Sequence, residues 1–488
     1  MCRVQTKRFL MPLYFTQGLA LFWAGVAAIA LPCAAADFAI SQIANENLIN
    51  RDAVISESGL VAWADVMQGT TGDAYSDIYA YFDGRLFCVT QTKRSRNMSN
   101  IRPQVQGDTI VWVGTFTDSE PTDWVLQTVS EGDKGEHPEL NAVYIPREAG
   151  GKQWFEGPIM NDAMWAARQS NYLARTGTAT NKPAGANPAM PVVAVTNKPP
   201  AKPIIPFAID PPAAKEQSVA EGKWRTRGSG ATEICLWKKG DPSISRLTRN
   251  NRDDLGPSVW GDLVAWQTGR GWPFGWEIMI WCDGYRAQLT TNYYYDMAPK
   301  VQGRQVAWYG WDGHDFEIYM YDQDKKVASQ ITSNNYDDVS PEIWGGQITW
   351  EGFPGADADI FLWKDGKIKK ISDNIEDDLN PRIWNGKVVW QGFDGDDFEI
   401  YYYDGEKTTK LTSNTYDDLN PDIRDGLVCW MGYEGNWDSE VFVWDGSNIK
   451  RLTDNEYDDR DPRTAGGRVV WQAQDEKKSF IFLAEPKK

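Results

Sequence analysis

Residues 380–418 read NPRIWNGKVVWQGFDGDDFEIYYYDGEKTTKLTSNTYDD, and this stretch contains one complete copy of a unit that fills the second half of the chain. A proline opens the unit and a tryptophan follows nine residues later, as Pro381 and Trp390 do here. The equivalent prolines are Pro257, Pro299, Pro341, Pro381, Pro421 and Pro462. The equivalent tryptophans are Trp266, Trp308, Trp350, Trp390, Trp430 and Trp471. A fixed period of about 40 residues indicates a repeat architecture.

Each unit contains four short segments rich in β-branched and aromatic residues, which pleated sheets favour. In the quoted copy they are residues 381–384 (strand A), 388–390 (strand B), 399–403 (strand C) and 411–412 (strand D). The pair Asn385-Gly386 suits a two-residue hairpin turn between strands A and B. Four antiparallel strands in a repeat of about 40 residues are typical of a propeller blade. The sequence therefore predicts an all-β fold, a single β-propeller of four-stranded blades.

The first half of the chain carries weaker copies of the unit. Trp63 and Trp112 stand at strand B in two of them. A third copy is split, with a shortened hairpin from Pro158 to Trp165 and its outer strands at residues 233–237 and 247–248. Counting every strand-B tryptophan predicts nine blades. Eight is the alternative, with residues 120–165 in doubt, because propellers usually have four to eight blades.

The two ends of the chain complement each other. The last unit stops after its strand C, while residues 41–44 near the start match a strand D at residues 329–332. We therefore expect the N-terminal strand to complete the last blade and to remove an exposed sheet edge. On this hypothesis, deletion of residues 37–50 strongly lowers thermal stability.

Residues 1–36 are typical of a secretory signal peptide. Basic residues precede an apolar run at residues 19–31, and Ala34-Ala35-Ala36 provides a cleavage site. The run is shorter than the ~20 residues that a membrane-spanning helix needs, and a lipid anchor at Cys33 is an alternative. We expect a periplasmic or extracellular protein with no membrane span. Its propeller parts are residues 37–167 and 231–488.

Residues 168–230 interrupt the split copy between strands B and C. They are rich in proline and carry nine basic and three acidic residues. This composition predicts an extended, largely disordered insert. One interpretation is a passive solvated loop, and the other is an arm that lies over acidic loops at low salt.

The composition excludes several function classes. The chain has a formal net charge of −18, which disfavours nucleic-acid binding. Its two histidines, His137 and His314, leave little room for a histidine-rich metal site or a Ser-His-Asp triad. We expect a monomer without catalytic residues, and we expect Cys88, Cys235, Cys282 and Cys429 to be free and buried.

Acidic residues concentrate in the B–C loops and the D–A connectors, which blade connectivity places together at one end of the ring, here named the loop end. The candidate binding residues are Asp337, Asp338, Asp377, Asp378, Asp417, Asp418, Asp458, Asp459, Asp312, Asp315, Asp394, Asp396 and Asp397. Converging carboxylates would create a strong negative field at this end. The alternative is that each aspartate accepts hydrogen bonds from its own turn.

Other repeated residues allow two interpretations. The runs 312–317 and 394–399 offer hard oxygen ligands suitable for Ca²⁺, although they lack EF-hand spacing, so no cofactor is the expectation and calcium the alternative. Glu277, Glu317, Glu399 and Glu440 begin strand C in successive units and are expected to be structural. Tyr336, Tyr416 and Tyr457 either stack on a ligand or pack between blades.

These repeats resemble the TolB-like propellers of the periplasm and related repeats of microbial surface proteins. The shared pattern is Leu-Thr, an Asp-rich connector, Pro-x-hydrophobic, a tight turn, a hydrophobic strand B, then Glu-Ile-Tyr and Asp-Gly. The resemblance covers residues 40–488 outside the insert. With the acidic loops, it favours a non-enzymatic scaffold that binds a protein or cell-surface partner. The alternatives are a glycan-binding or lyase-like propeller, which Ca²⁺ would assist, and a structural envelope component.

Overall fold

The structure is a computed structural model that describes residues 38–44, 49–68, 74–90, 99–115, 127–128 and 231–487. Within the last range, residues 251, 272–274, 293, 373, 435–437 and 476–477 are not described. The predicted signal peptide and the predicted insert at residues 168–230 lie outside the described residues. The described part is built from strands and turns, and none of its segments is a helix that could cross a membrane.

In the described residues, thirty-three strands form eight sheets, each with an inner strand A, then B, C and an outer strand D. The A strands are β2 (Ile49–Ile55), β6 (Asn100–Gln106), β11 (Asp253–Trp260), β15 (Asp296–Gln302), β19 (Asp338–Trp344), β23 (Asp378–Trp384), β27 (Asp418–Arg424) and β31 (Asp458–Ala465). The B strands are β3 (Val61–Gln68), β7 (Thr109–Thr115), β12 (Leu263–Gly271), β16 (Gln305–Trp311), β20 (Gln347–Gly352), β24 (Lys387–Phe393), β28 (Leu427–Gly432) and β32 (Arg468–Gln474).

The outer half of each blade completes the sheet. The C strands are β4 (Ala74–Phe82), β9 (Thr232–Lys238), β13 (Gly275–Cys282), β17 (Phe316–Asp322), β21 (Asp359–Lys364), β25 (Phe398–Tyr403), β29 (Glu440–Trp444) and β33 (Ser479–Pro486). The D strands are β5 (Arg85–Cys88), β10 (Ser245–Arg246), β14 (Tyr285–Gln288), β18 (Val327–Gln330), β22 (Lys367–Lys370), β26 (Thr408–Lys410), β30 (Ile449–Arg451) and β1 (Phe38–Gln42). The remaining strand, β8 (Gln127–Thr128), pairs with β5.

Numbered from β2 onward, the sheets are blades 1 to 8 of a propeller, which confirms the predicted fold and the lower of the two blade counts. The assignment of the split copy was wrong. Strands β9 and β10 join β6 and β7, so residues 232–246 complete the blade of Trp112. Trp165 lies outside the described residues and contributes no blade among them.

The ring closes as the sequence predicts. Strand β1 pairs antiparallel with β33, from Phe38 opposite Pro486 to Gln42 opposite Phe482. Blade 8 therefore contains the first and last described strands of the chain. Asn50 reinforces the closure, because its side-chain Nδ2 donates to the Ser479 carbonyl at 2.8 Å.

Every A strand bends at the same place. The A–B register shifts by one residue in all eight blades, and the residue at the shift has a positive φ. These residues are Asp52, Arg102, Gly256, Ala298, Ser340, Asn380, Asn420 and Asp461. In seven of the blades a proline follows, whose missing N–H is tolerated at a bulge on this inner edge strand.

The hydrophobic core is distributed around the ring, between the packed faces of neighbouring blades. The eight strand-B tryptophans in the described residues are at most 1% exposed. Several stack on an aromatic ring of strand C in their own blade, as Trp390 does on Tyr401 with centroids 5.8 Å apart. The four cysteines Cys88, Cys235, Cys282 and Cys429 are free and buried, as predicted.

Candidate functional site

In blades 3 to 8, an aspartate of the D–A connector lies inside the blade, at or near the start of strand A. Its Oδ1 accepts a hydrogen bond from the strand-B tryptophan twelve residues later, at 2.6–3.0 Å. The pairs are Asp254–Trp266, Asp296–Trp308, Asp338–Trp350, Asp378–Trp390, Asp418–Trp430 and Asp459–Trp471. Four of these carboxyls are predicted binding residues, and the structure places them in the core, where they hold strand A against strand B.

Burial changes the titration of these carboxyls. Loss of water raises the pKa of Asp296, Asp378 and Asp418 to about 7 and that of Asp459 to about 8, and it raises the pKa of Asp338 well above its usual value. Hydrogen bonds from tryptophan and asparagine side chains oppose this shift without cancelling it. At neutral pH these groups are therefore partly protonated, and they add less negative charge than the sequence indicates.

In the connectors to blades 5 to 8, the first aspartate is half-buried and links neighbouring blades. Its Oδ1 accepts the backbone N–H of a residue at or just before the start of strand C in the preceding blade. The pairs are Asp337 with Phe316, Asp377 with Ala358, Asp417 with Phe398 and Asp458 with Ser439. These four predicted binding residues thus hold the loops of the loop end, and the second oxygen of Asp458 is in addition paired with Arg460.

The B–C loops supply the most accessible predicted residues. Asp312, Asp394 and Asp396 are exposed, whereas Asp315 and Asp397 are buried. Asp394 Oδ1 accepts the N–H groups of Asp396 and Asp397, at 3.0 and 3.3 Å. This is the self-capped turn that the sequence allowed as an alternative, and it leaves Asp396 facing solvent.

The repeated glutamates of strand C brace the connectors, as expected of structural residues. Glu317 Oε1 accepts the backbone N–H of Asn334 at 2.6 Å, and Glu399 Oε1 accepts that of Asn414 at 2.9 Å. The repeated tyrosines pack between blades, as Tyr336 does against Phe361 with centroids 6.3 Å apart. Tyr457 packs in the same way against Phe480.

Four aromatic side chains at the loop end were not predicted as site residues from the sequence. Here named the aromatic arc, they are Trp311, Phe353, Phe393 and Tyr433, half-buried on the consecutive blades 4 to 7. Each backbone N–H donates to the carbonyl of the residue before strand A, at 2.8–3.0 Å, which fixes the arc beside the acidic connectors. A regular pattern in the sequence marks these four residues. Each stands three positions after the strand-B tryptophan and directly after a glycine.

The axis of the ring holds a cavity of about 420 Å³ lined by the A strands. Its charged wall includes Lys300 and Glu342, which are 2.7 Å apart, and Arg382, which also contacts Glu342. The rings of Trp260 in blade 3 and Trp344 in blade 5 pack edge to face, with their centroids 5.3 Å apart. The two blades are not neighbours, since blade 4 lies between them. The guanidinium of Arg424 covers Trp344 at 4.4 Å. These side chains narrow the channel at the end opposite the acidic loops.

Comparisons with known proteins agree with this architecture and add little beyond it. No family model and no curated protein sequence matches the chain. Among solved structures, the propeller domain of the Trilobed protease from Pyrococcus furiosus is 15% identical, with 54% of this chain and 87% of that chain covered and a TM-score of 0.41. TolB from Acinetobacter baumannii is 12% identical, with 53% and 76% covered and a TM-score of 0.33.

A third similar structure is a puromycin-hydrolysing peptidase of Mycobacterium tuberculosis, which is 10% identical. The match covers 87% of this chain and 57% of that chain, with a TM-score of 0.44. At these identities the likenesses concern fold alone, and the eight four-stranded sheets establish that fold directly. The β-propeller that the repeats predict is thus confirmed by the eight sheets themselves.

Proposed function

We propose that the protein is a binding scaffold whose loop end holds a protein or cell-surface partner. The observation that carries this proposal is the aromatic arc, which lies beside exposed carboxylates of the same loops. Rigid blades present both, so a partner would meet a surface that is already ordered. Half-buried aromatic rings supply apolar contact area, and the carboxylates favour a cationic partner.

The same proposal includes a place of action outside the cytoplasm. Its support is the predicted signal peptide at residues 1–36. A glycan partner is the second candidate, because the half-buried rings of Trp311 and Phe393 would stack on sugar rings. A purely structural envelope role remains the third hypothesis, and it requires neither the arc nor the charge.

A photo-crosslinking experiment tests the proposal in the producing cells. A photoreactive residue replaces Asp396 at the loop end or, as the control, Glu406 on a C–D turn at the opposite end. Both side chains are exposed. We expect a defined adduct from position 396 and none from position 406. Equal adducts from both positions, or none from either, would contradict a loop-end scaffold.

Charge reversal then tests the surface with the partner so identified. The double variant Asp396→Lys/Glu456→Lys changes two exposed residues of the loop end, and Asp241→Lys/Glu406→Lys makes the same change in charge at the other end. We expect the first variant to weaken binding at least tenfold and the second to leave it unchanged. A saccharide adduct, lost in Trp311→Ala, would favour the glycan candidate instead.

A further inference from the structure

The B–C loop of blade 4 gathers three carboxyl groups. Asp312, Asp315 and Glu317 each place a carboxylate oxygen within 4.8 Å of the others. Asp312 is exposed, Asp315 is 7% exposed and Glu317 is fully buried. The cluster therefore runs from solvent into the blade, with its deepest ligand atom inside the protein.

Two oxygens of this cluster lack hydrogen-bond partners among the described residues. They are Asp315 Oδ1 and Glu317 Oε2, and both are buried. The other oxygen of Glu317 accepts the backbone N–H of Asn334, which fixes the direction of the side chain. Burying a carboxylate oxygen without a donor or a cation costs free energy, and a cation in contact with these two atoms would offset that cost.

Blade 6 contains the same cluster with its positive partner in place. Asp394, Asp397 and Glu399 also bring carboxylate oxygens within 4.8 Å of one another. The ammonium Nζ of Lys410 lies 2.5 Å from Asp394 Oδ2 and 3.3 Å from Glu399 Oε1. In this blade a tethered ammonium from strand D pairs with two of the three carboxylates. Asp397 Oδ1 and Glu399 Oε2 lack a hydrogen-bond partner among the described residues, as the equivalent oxygens of blade 4 do.

Strand register shows what blade 4 has at that position. Lys410 pairs with Tyr401 between β26 and β25, and Gln330 pairs with Tyr319 between β18 and β17. Gln330 is thus the equivalent of Lys410, but its amide carries no charge. No lysine or arginine in the described residues forms an ion pair with Asp312, Asp315 or Glu317.

Three other blades also have a cation at this position, whereas blades 1 and 8 have Cys88 and Gln42 there. Arg246, Lys370 and Arg451 pair with the acidic residues Glu233, Asp359 and Glu440 of their own blades. Blade 3 also has a glutamine, Gln288, but its B–C loop includes residues that the structure does not describe. Blade 4 therefore has the same three-carboxyl cluster as blade 6 but lacks the side-chain cation that blade 6 supplies.

We propose that Asp312, Asp315 and Glu317 bind one divalent cation, Ca²⁺, in the place that Lys410 fills in blade 6. Carboxylate oxygens are hard ligands of the type that Ca²⁺ prefers. Oxygens that share one Ca²⁺ at ~2.5 Å can lie up to ~5 Å apart, which accommodates the observed spread, whereas the shorter bonds of Mg²⁺ demand a tighter set. Water completes the shell on the exposed side of Asp312.

Calorimetric titration of the full chain with CaCl₂, after treatment with EDTA and dialysis, tests the site. We expect one Ca²⁺ per wild-type chain. Asp315→Asn removes a ligand charge and should weaken binding at least tenfold. Gln330→Lys supplies the tethered ammonium and should abolish binding while raising the melting temperature in EDTA. Lys410→Gln should add a second equivalent of Ca²⁺.

The matched control is Asp365→Asn, which removes one exposed carboxylate from a C–D turn at the opposite end of the ring. We expect this variant to bind Ca²⁺ as the wild type does. An absence of binding at millimolar CaCl₂ would overturn the proposal. So would wild-type binding by Gln330→Lys, since the cation would then lie elsewhere. If Asp315→Asn does not fold, Gln330→Lys and Lys410→Gln still decide the outcome.

Discussion

Trp430 and Asp418 are joined inside blade 7 by a hydrogen bond of 3.0 Å from the indole Nε1 to the carboxyl Oδ1. Both residues are at most 1% exposed, and equivalent pairs occupy five other blades. The carboxyl also accepts a bond from Asn414 Nδ2 at 2.7 Å. One side chain thus fixes strand A, strand B and the preceding connector.

Removal of that carboxyl should destabilise the blade. We expect Asp418→Ala to lower the free energy of unfolding by about 2–4 kcal/mol, because it leaves two buried donors unpaired and creates a cavity. Asp418→Asn retains an acceptor and should cost less. Denaturant titration measures both, with Asp396→Ala as the exposed control. A loss no larger for Asp418→Ala than for that control would contradict the structural role.

The same carboxyls predict a pH dependence of stability. Burial raises the pKa of Asp418 to about 7, above the value of ~3.9 in an unfolded chain. The unfolded state therefore releases the proton first, and the contribution of Asp418 to stability, complete below pH ~4, declines as the pH rises to about 7. Melting temperatures across this interval should fall less steeply in Asp418→Asn than in the wild type. Asp396→Asn should keep the wild-type slope.

Gly432 makes room for the buried carboxyl. A Cβ at this position would lie 2.6 Å from Asp418 Oδ1 and 2.9 Å from a ring carbon of Phe442, closer than packed atoms approach. We expect Gly432→Ala to lower the melting temperature by several degrees, through overpacking that costs about 1–3 kcal/mol. The control is Gly355→Ala in the exposed loop of blade 5, where the nearest atom is 3.3 Å away on a side chain. Equal melting temperatures in the two variants would refute this explanation.

Strand β1 should be essential for the stability of the ring. Deletion of residues 38–44 exposes β33 and removes five paired residues together with the Ile43–Ile481 backbone hydrogen bond. We expect the melting temperature to fall on the order of 10 °C. A synthetic peptide of residues 37–44, added in excess, should restore part of the loss, and a scrambled peptide should not. An unchanged melting temperature after the deletion would contradict closure by β1.

The sequence predicted the architecture because the features that determine it are local. Pro381, Asn385-Gly386 and Trp390 specify a strand, a turn and a second strand within eleven residues, and the turn has the positive φ angles that such hairpins require. Pairing between distant segments was harder to predict. Trp165 looked like strand B by composition, but strand C of blade 2 pairs with β7.

The candidate site was predicted less well, for a physical reason. The sequence places Asp417 and Asp418 at one end of the ring, but it does not say which side chain points inward. That choice depends on the hydrogen bond to Trp430, although the constant twelve-residue spacing was visible in advance. The contrast between Gln330 and Lys410 becomes meaningful only when the hairpin register sets each beside its cluster.

Because blade 8 contains both β1 and β33, ring closure has a fixed place in the order of synthesis and folding. While the ribosome makes the chain, β1 cannot form its pairing with β33 until residues 479–486 emerge, after strands β2 to β32 have been synthesised. Blades 3 to 7 each come from one continuous stretch and can fold as they appear. Closure of the ring therefore waits for β33, and a product truncated before residue 479 lacks the strand that pairs with β1.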